Sequence, residues 1–271
     1  MQTPHDLTAV RVRHPLKFRL LQVTRVQSVT PHLRRITLHG EDLHDFVSAS
    51  FDDHIKLFLP EPGQERPAMP TLGANGIEFA ADVARPVARD FTPRRFDPEA
   101  RELDIEFALH DAGPATAWAA QAQAGHYLGI GGPRGSRVIP LGFDWQVLIG
   151  DDTALPAIAR RLEELPATAR AIAVIEVADA GARVELTTAA ALETHWCYRD
   201  ESPANGEALL RAVRGLQLPP GEGYVWGAGE SGAMRAIRQH LAGERGLDKS
   251  RLHVSGYWKR GAQGVHESIE D

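Results

Sequence analysis

The pattern of apolar residues changes near residue 140, and this change constrains the fold more than any other feature of the sequence. Before it, short segments that alternate apolar and polar residues, such as residues 33–39, are separated by turns rich in proline and glycine, which is typical of antiparallel strands. After it, apolar segments such as residues 171–177 alternate with helical patterns, which is typical of a parallel sheet covered by helices. We therefore expect a β-barrel followed by an α/β domain, with the boundary at residues 138–144 and a loop over residues 61–75.

The composition of the chain excludes several classes of function. The formal net charge is −6, whereas a nucleic-acid-binding domain is normally basic. No apolar run has the length of a membrane span or the character of a signal-peptide core. Cys197 is the only cysteine, and the 12 histidines show no metal-ligand spacing, so we expect neither an intramolecular disulfide nor a structural metal. We expect a cytoplasmic protein without nucleic-acid or membrane partners.

The stretch of residues 89–97 combines groups that suit a phosphate-bearing, aromatic cofactor such as a flavin. In a strand, Arg89 and Phe91 lie on the same side. The guanidinium of Arg89 offers a planar fork to a phosphate, and the ring of Phe91 offers a stacking surface to a flat heterocycle. Thr92, which Pro93 keeps out of the helical region, adds a hydroxyl. The alternative is that the aromatic residue only packs in the core.

A second anion site is predicted where a helix begins. Gly113 and Pro114 precede the helical pattern of residues 115–123, and proline is tolerated at the first helical position because its missing N–H would be unpaired there. The free N–H groups of the first turn lie at the positive end of the helix dipole and bind anions, and Thr116 adds a hydroxyl. The alternative is an ordinary capped helix.

The turn of residues 150–156 lies between an apolar strand and a helix, which is the position of the first dinucleotide-binding turn in a doubly wound sheet. Thr153 is the candidate for a contact with phosphate or nicotinamide. Asp151 and Asp152 are unfavourable beside a pyrophosphate unless their carboxylates point away from it. The alternative is a plain strand-to-helix turn.

A second glycine-containing turn follows another apolar strand. Gly227 and Gly229 allow another group to approach the backbone closely, and Glu230 is either a helix N-cap or a cofactor contact. Glu176 and Asp179 lie roughly where an acidic residue binds a ribose 2′-OH. Their spacing from the first turn is longer than usual, so the sequence does not decide whether NADH or NADPH is the electron donor.

Together these motifs resemble those of the siderophore-interacting proteins, the ferric-siderophore reductase branch of the ferredoxin-NADP reductase-like flavoproteins. The resemblance implies an N-terminal six-stranded antiparallel FAD-binding barrel over residues 1–140. It also implies a C-terminal Rossmann-like, doubly wound parallel sheet over residues 141–271 that binds NADPH or NADH. The family usually has tyrosine where this chain has Phe91, so stacking is kept and a hydrogen bond from that hydroxyl is lost. The resembling segments are residues 53–58, 89–97, 110–118, 130–136, 150–158, 226–230 and 254–259.

The resemblance also implies which residues form the sites. No side chain is needed as a catalytic acid, base or nucleophile, because the flavin carries the reaction. The implied cofactor-binding residues are Arg89, Phe91, Thr92, Arg94, His110, Gly113, Pro114, Ala115, Thr116, Gly150, Thr153, Ala154, Gly227, Gly229 and Glu230. The implied substrate-binding residues are Lys56, Arg134, Arg137 and Lys259.

The activity that the resemblance implies is that of a cytosolic FAD-dependent ferric-siderophore reductase. Electrons pass from NAD(P)H through the flavin to chelated Fe(III), and Fe(II) is released because it fits hard-oxygen ligands less well. Some members of the family take electrons from ferredoxin instead. Two alternatives stay open at this point: a general NAD(P)H-dependent flavin or ferric-chelate reductase, and a siderophore-binding protein without redox turnover.

Overall fold

The structure, a computed structural model, describes residues 6–74, 76–109, 113–202, 206–262 and 267–269. The chain divides into two compact units, each with its own core.

The first unit comprises residues 10–138, and the second begins at residue 139. The described residues 6–9 also belong to the second unit, in which Arg251 Nη1 donates to the carbonyl of Leu7 at 3.0 Å. This differs from the expected range of 1–140, because residues 6–9 are held by the second unit and not by the barrel.

The first unit is built almost entirely from strands. Its described helical segments are a 3₁₀ helix (Glu41–Asp45) and α1 (Pro114–Gln121). Its described strands are β1 (Val10–Arg13), β2 (Phe18–Thr30), β3 (Leu33–His39), β4 (Ile55–Phe58), β5 (Thr71–Gly73), β6 (Gly76–Glu78), β7 (Ala88–Phe91), β8 (Pro93–Asp97), β9 (Glu102–Ala108), β10 (Tyr127–Gly131) and β11 (Gly135–Val138).

Seven of these strands form one antiparallel sheet in the order β7-β4-β10-β2-β3-β9-β8. The two edge strands, β7 and β8, are separated along the chain by Thr92 alone. Residues 88–97 therefore act as one bent strand, which pairs with β4 through its first half and with β9 through its second half. Because one strand supplies both edges, the sheet closes on itself, and the predicted six-stranded antiparallel barrel is confirmed.

Apolar side chains that point inward fill this barrel. Ile36, Leu57 and Ile105 are completely buried in it, and such burial contributes about 1.5–3 kcal/mol for each large apolar side chain. The helix α1 adds Trp118 and Ala119 to the same cluster, so burial of one of its faces holds it against the barrel.

Two antiparallel strand pairs lie outside the barrel sheet, β1 with β11 and β5 with β6. The second pair corrects the prediction that residues 61–75 form only a loop. Residues 71–78 contain a hairpin in which Leu72 is paired with Ile77. Cross-strand aliphatic pairs stabilise a hairpin, and the surrounding proline and glycine residues masked this short pattern.

The second unit alternates strands and helices, as expected. Its described α-helices are α2 (Leu155–Glu164), α3 (Glu207–Gly215) and α4 (Ser231–Arg238). Its described strands are β12 (Trp145–Asp151), β13 (Arg170–Val177), β14 (Ala191–Tyr198), β15 (Gly223–Glu230), β16 (Leu252–Trp258) and β17 (Glu267–Ser268).

These strands form a sheet in the order β14-β13-β12-β15-β16-β17, and the first five are parallel. The order reverses direction between β12 and β15, so the sheet is doubly wound, and the predicted Rossmann-like architecture is confirmed. Every residue of β12 is buried, as expected for a central strand covered on both faces. None of the helices in the described ranges combines the length and apolar character that a bilayer crossing needs.

An ion-paired carboxylate fixes the 3₁₀ helix of the first unit to β2. Arg19, which is buried, donates from Nη2 to Asp45 at 2.7 Å, and Lys17 donates to the same carboxylate. The hydrogen bond from Lys17, followed by that from Arg19, lowers the pKa of Asp45 to about 2.

We predict that the stabilisation from this carboxylate is lost in acid. Because the folded-state pKa of Asp45 lies below the unfolded value of 3.8, its contribution is complete above about pH 4 and falls as the pH approaches about 2. Urea unfolding of the wild type and of Asp45→Asn should differ more at about pH 6 than at about pH 3. An equal difference at both pH values would contradict this account. Asp82→Asn, at an exposed carboxylate, is the control.

Candidate functional site

The strand that closes the barrel presents Arg89 and Phe91 on its inner face. Arg89 is paired with Leu57 and Phe91 with Ile55 across β4. Leu57 and Ile55 are both 0% exposed, and directly opposite residues share a face of the sheet. Arg89 and Phe91 therefore share one face, the one turned toward the barrel interior.

Arg89 is a half-buried cation. Its Nη1 donates to the carbonyl of Ala88 at 2.8 Å, and within the described residues no carboxylate lies at ion-pairing distance from it. A half-buried guanidinium without a neutralising partner is costly. Such a group is suited to an anionic ligand with which it can form charge-assisted hydrogen bonds.

The neighbouring residues of this strand are held more tightly. The ring centroid of Phe91 lies 4.6 Å from that of Phe107, so one side of the ring packs on the core and the half-buried remainder is open to a ligand. Thr92 is buried at the bend between β7 and β8. Arg94 is also buried, and its Nε lies 3.7 Å from Glu106 Oε2, a carboxylate that it shares with Arg35.

The predicted anion-binding helix terminus is α1. It begins at Pro114 after Gly113, whose φ of 140° is a conformation that favours glycine, and no side chain of the described residues caps it. The N–H groups of Ala115 and Thr116 lack acceptors within the helix. The opposite end is capped by Arg34, whose Nη1 donates to the carbonyls of Ala119 and Ala120 at 2.7 and 2.5 Å. Among the described residues, no side chain competes with an anion for the start of α1. His110, a further predicted contact, lies outside the described residues.

A cavity of about 510 Å³ adjoins the start of α1. It lies between α1 and residues 59–65, and Val87, two residues before Arg89, contributes to its wall. Its polar lining residues include Gln64, Gln121 and His126. A half-buried arginine, an uncapped helix start and a cavity with apolar and polar walls form a donor set that fits the pyrophosphate and adenosine of FAD. Sequence reasoning missed this cavity, because its walls come from segments far apart in the chain.

In the second unit, the carboxylate of Asp151 faces inward. It accepts hydrogen bonds from Thr153 N–H at 2.9 Å, from Thr153 Oγ1 at 2.5 Å, from Glu230 N–H at 3.0 Å and from Trp258 Nε1 at 2.8 Å. The carboxylate therefore ties together the ends of β12, β15 and β16. A Cβ on Gly150 would lie 2.5 Å from the Cβ of Ala154, so these two residues pack the strand against the helix.

The other acidic residues at this edge of the sheet also have protein partners. Arg199 donates from Nη2 to Asp152, and its Nη1 lies 4.0 Å from Glu176. Glu176 accepts from Gly206 N–H at 3.1 Å, and burial is the main reason why its pKa is raised. Asp179 accepts from Gly181 N–H at 2.7 Å. Glu176 and Asp179, the two acids considered for ribose recognition, thus accept hydrogen bonds from backbone N–H groups of the protein itself.

The second glycine turn positions a helix. Glu230 accepts from Ala233 N–H at 2.9 Å and is the N-cap of α4, which was the first of its two expected roles. Gly229 has a φ of 153°, and a Cβ there would lie 2.7 Å from Asp151 Oδ2. A Cβ on Gly227 would lie 3.6 Å from its nearest neighbour, which is an ordinary van der Waals contact distance.

The predicted substrate-binding cations differ in their exposure, in their ion pairing and in the unit to which they belong. Lys56 points away from the barrel core and is ion-paired with Asp90 at 2.7 Å. It is paired across the sheet with Gly131, three residues before the exposed Arg134. Arg137 lies in β11. Lys259 is exposed in the second unit, directly after β16.

The closed barrel followed by a doubly wound sheet is the architecture of the ferredoxin reductase-like flavoproteins. A ferredoxin reductase of carbazole 1,9a-dioxygenase shares this fold with a TM-score of 0.64 at 16% identity, over 90% of this chain and 70% of that one. Family models narrow the class. Residues 22–137 match the siderophore-interacting FAD-binding domain, and residues 143–261 match the siderophore-interacting protein domain. The chain belongs to the siderophore-interacting protein family.

Individual relatives agree with this membership. The chain is 35% identical to the NADPH-dependent ferric-chelate reductase of Escherichia coli, over 92% of this chain and 95% of that protein. It is 32% identical to the ferric vibriobactin reductase ViuB of Vibrio cholerae, over 92% and 93%. The crystal structure of a siderophore utilization protein from T. fusca superposes with a TM-score of 0.87 at 41% identity, over 95% of this chain and 98% of that one.

We predict that Arg89 anchors FAD through its phosphates. Arg89→Ala removes charge-assisted hydrogen bonds of about 1.5–3 kcal/mol, so the Kd for FAD should rise about 10- to 100-fold. Fluorescence titration of the apoprotein with FAD measures this change. Arg85→Ala is the matched control, because Arg85 is exposed and contacts only the ring of Phe79 at 5.8 Å within the described residues. Unchanged FAD affinity in Arg89→Ala would exclude the assigned role.

Proposed function

We propose that this chain is an FAD-dependent ferric-siderophore reductase that takes electrons from NADPH in the cytoplasm. The observation that carries the proposal is the half-buried Arg89 on the strand that closes the barrel, for which the described residues provide no carboxylate partner. It lies in the same unit as the start of α1. Similarity to proteins named as NADPH-dependent ferric-chelate reductase and ferric vibriobactin reductase supports the reaction.

The residues of the barrel bind and orient FAD. Arg89 and the N–H groups of Ala115 and Thr116 would hold the pyrophosphate, and the adjoining cavity would accept the adenosine. Phe91 and Thr92 contact the ring system. When bound, FAD supplies the exchange between a two-electron donor and a one-electron acceptor.

The electron balance follows from the chemistry of donor and acceptor. One NADPH gives up two electrons with its hydride, and two Fe(III) chelates each take one electron, which yields NADP⁺, H⁺ and two Fe(II). Hard oxygen ligands hold Fe(II) less tightly than Fe(III), so reduction releases the metal. In the first unit, Lys56, Arg134 and Arg137 attract the anionic chelate, although Lys56 must share its charge with Asp90.

The carboxyl ends of β12 and β15 bind the nicotinamide nucleotide. Asp151 acts as a positioning residue, because its hydrogen bonds fix Thr153 and the backbone of Glu230. The turns that follow Gly150 and Gly227 provide the approach to the nucleotide. Since Asp151 faces inward, its charge is not directed at the pyrophosphate.

The choice of NADPH is supported by an arginine that sequence reasoning missed. The guanidinium carbon of Arg183 lies 5.0 Å from the ring centroid of Tyr198, at the carboxyl end of β14. In the described part of the chain Arg183 has no carboxylate partner, whereas Glu176 and Asp179 are bound to backbone N–H groups. In dinucleotide-binding folds, an arginine near the end of the second strand of the sheet, here β13, accommodates the 2′-phosphate of NADP.

Arg183→Ala should therefore raise KM for NADPH about 10-fold through the loss of a charge-assisted contact. KM for NADH should not change, because NADH lacks the 2′-phosphate. Steady-state kinetics with both nucleotides provides the measurement, with Arg211→Ala on the exposed face of α3 as the control. Equal effects on both nucleotides would contradict a role in 2′-phosphate recognition.

The proposed activity predicts a specific spectral cycle. Under anaerobic conditions the flavin absorption of the purified, FAD-loaded protein should decrease on addition of NADPH. It should then recover when a ferric siderophore is added. Flavin absorption that ignores NADPH but responds to reduced ferredoxin would indicate a protein donor. Tight chelate binding without any NADPH oxidation would instead support a binding protein.

A further inference from the structure

We infer that Thr153 recognises the carboxamide of the nicotinamide and not a phosphate of the nucleotide, because Asp151 leaves the Thr153 hydroxyl able only to accept a hydrogen bond from a ligand. The inference rests on the proposed function for the donor NADPH, and it deepens that function by assigning the contact that reads the nicotinamide. Nucleotide binding tests it without turnover.

The single proton of the Thr153 hydroxyl is committed to a carboxylate. Thr153 Oγ1 lies 2.5 Å from Asp151 Oδ1. An ionised carboxylate only accepts hydrogen bonds, so the hydroxyl donates in this contact and keeps lone pairs on its oxygen. Within the described residues, no donor is hydrogen-bonded to that oxygen. Thr153 is half-buried at the edge of the sheet, so a ligand that reaches it meets an acceptor.

The turn that contains Thr153 offers few donors to a phosphate. The N–H of Thr153 donates to Asp151 Oδ1 at 2.9 Å, and the N–H of Ala154 donates to the carbonyl of Asp151 at 3.0 Å. Pro156, the second residue of α2, has no N–H. A phosphate at a helix start is bound by free N–H groups, and these three residues provide none. Thr153 is therefore suited to a ligand group that donates.

A flat aromatic side chain is held beside this acceptor. Trp258 Nε1 donates to Asp151 Oδ2 at 2.8 Å, so one carboxylate orients both the Thr153 hydroxyl and the indole. The register between β15 and β16 shifts after Gly229, which places Trp258 opposite Glu230, and such a bulge re-aims side chains beside binding sites. Because β15 lies between β12 and β16, the half-exposed indole reaches across the end of β15.

An acceptor beside a flat ring matches the nicotinamide better than the other parts of the nucleotide. Nicotinamide is itself a flat ring, and the NH₂ of its carboxamide donates hydrogen bonds, as the amide of asparagine does. A phosphate ionised at neutral pH offers mainly acceptors. The 2′-phosphate on the adenosine side is proposed to lie at Arg183, near the end of β14. Because β13 separates β14 from β12, that end of the nucleotide lies about 10 Å from Thr153.

The test measures the affinity of the FAD-loaded protein for two oxidised nucleotides by isothermal titration calorimetry. One is NADP⁺, and the other is its 3-acetylpyridine analogue, in which a methyl group replaces the NH₂ of the carboxamide. The wild type should bind NADP⁺ about 3- to 10-fold more tightly than the analogue, as expected for one hydrogen bond. Thr153→Val should lower this ratio to about one, because the analogue has no hydrogen bond to lose.

Thr153→Ser keeps the hydroxyl and should keep the ratio of the two affinities. Thr194→Val, at a half-buried threonine in the middle of β14, is the matched control and should behave as the wild type does. The ratio is the diagnostic quantity, because a general disturbance of the turn weakens both nucleotides equally.

A ratio that Thr153→Val leaves unchanged would overturn the inference, whether the two affinities fall together or stay as they are. A wild type without any preference for NADP⁺ over the analogue would overturn it as well. If the wild type shows the preference and Thr153→Val removes it, but NADPH does not reduce the bound flavin, the inference stands and the proposed function fails. A wild type that binds neither nucleotide would overturn both.

Discussion

The pairing of residues 88–97 with both edges of the barrel sheet is the constraint on which the first unit depends. This strand closes the barrel through β4 and β9, and the same residues carry Arg89 and Phe91. A slip of one residue would turn every side chain to the opposite face. Arg89 would then face outward and Asp90 inward. Closure of the fold and the orientation of Arg89, the proposed phosphate-binding group, are thus fixed by one set of hydrogen bonds.

In the second unit, the carboxylate of Asp151 has a comparable role at the edge of the parallel sheet. Four donors from three strand ends converge on it. A buried carboxylate is stable only when such donors satisfy it. Its charge is therefore used within the protein to fix this edge of the sheet, which is the proposed nucleotide-binding edge.

Periodicity and turn residues were enough to predict the barrel, the doubly wound sheet and the start of α1, because these features depend on local patterns. Side-chain partners were not predictable in the same way. The pairing of Lys56 with Asp90 and of Arg94 with Glu106 depends on strand register. The register is set by the closed sheet and leaves no signal within a short stretch of sequence. The sequence therefore predicted several site residues but not their ion-pair partners.

The central claim is that NADPH oxidation is coupled to one-electron reduction of chelated Fe(III). The most direct test measures NADPH consumed and Fe(II) trapped by a ferrous chelator in one anaerobic reaction of the FAD-loaded protein with excess ferric siderophore. Because a hydride carries two electrons, the account predicts about two Fe(II) for each NADPH. NADPH oxidation without Fe(II), or Fe(II) formation that does not depend on the protein, would contradict it.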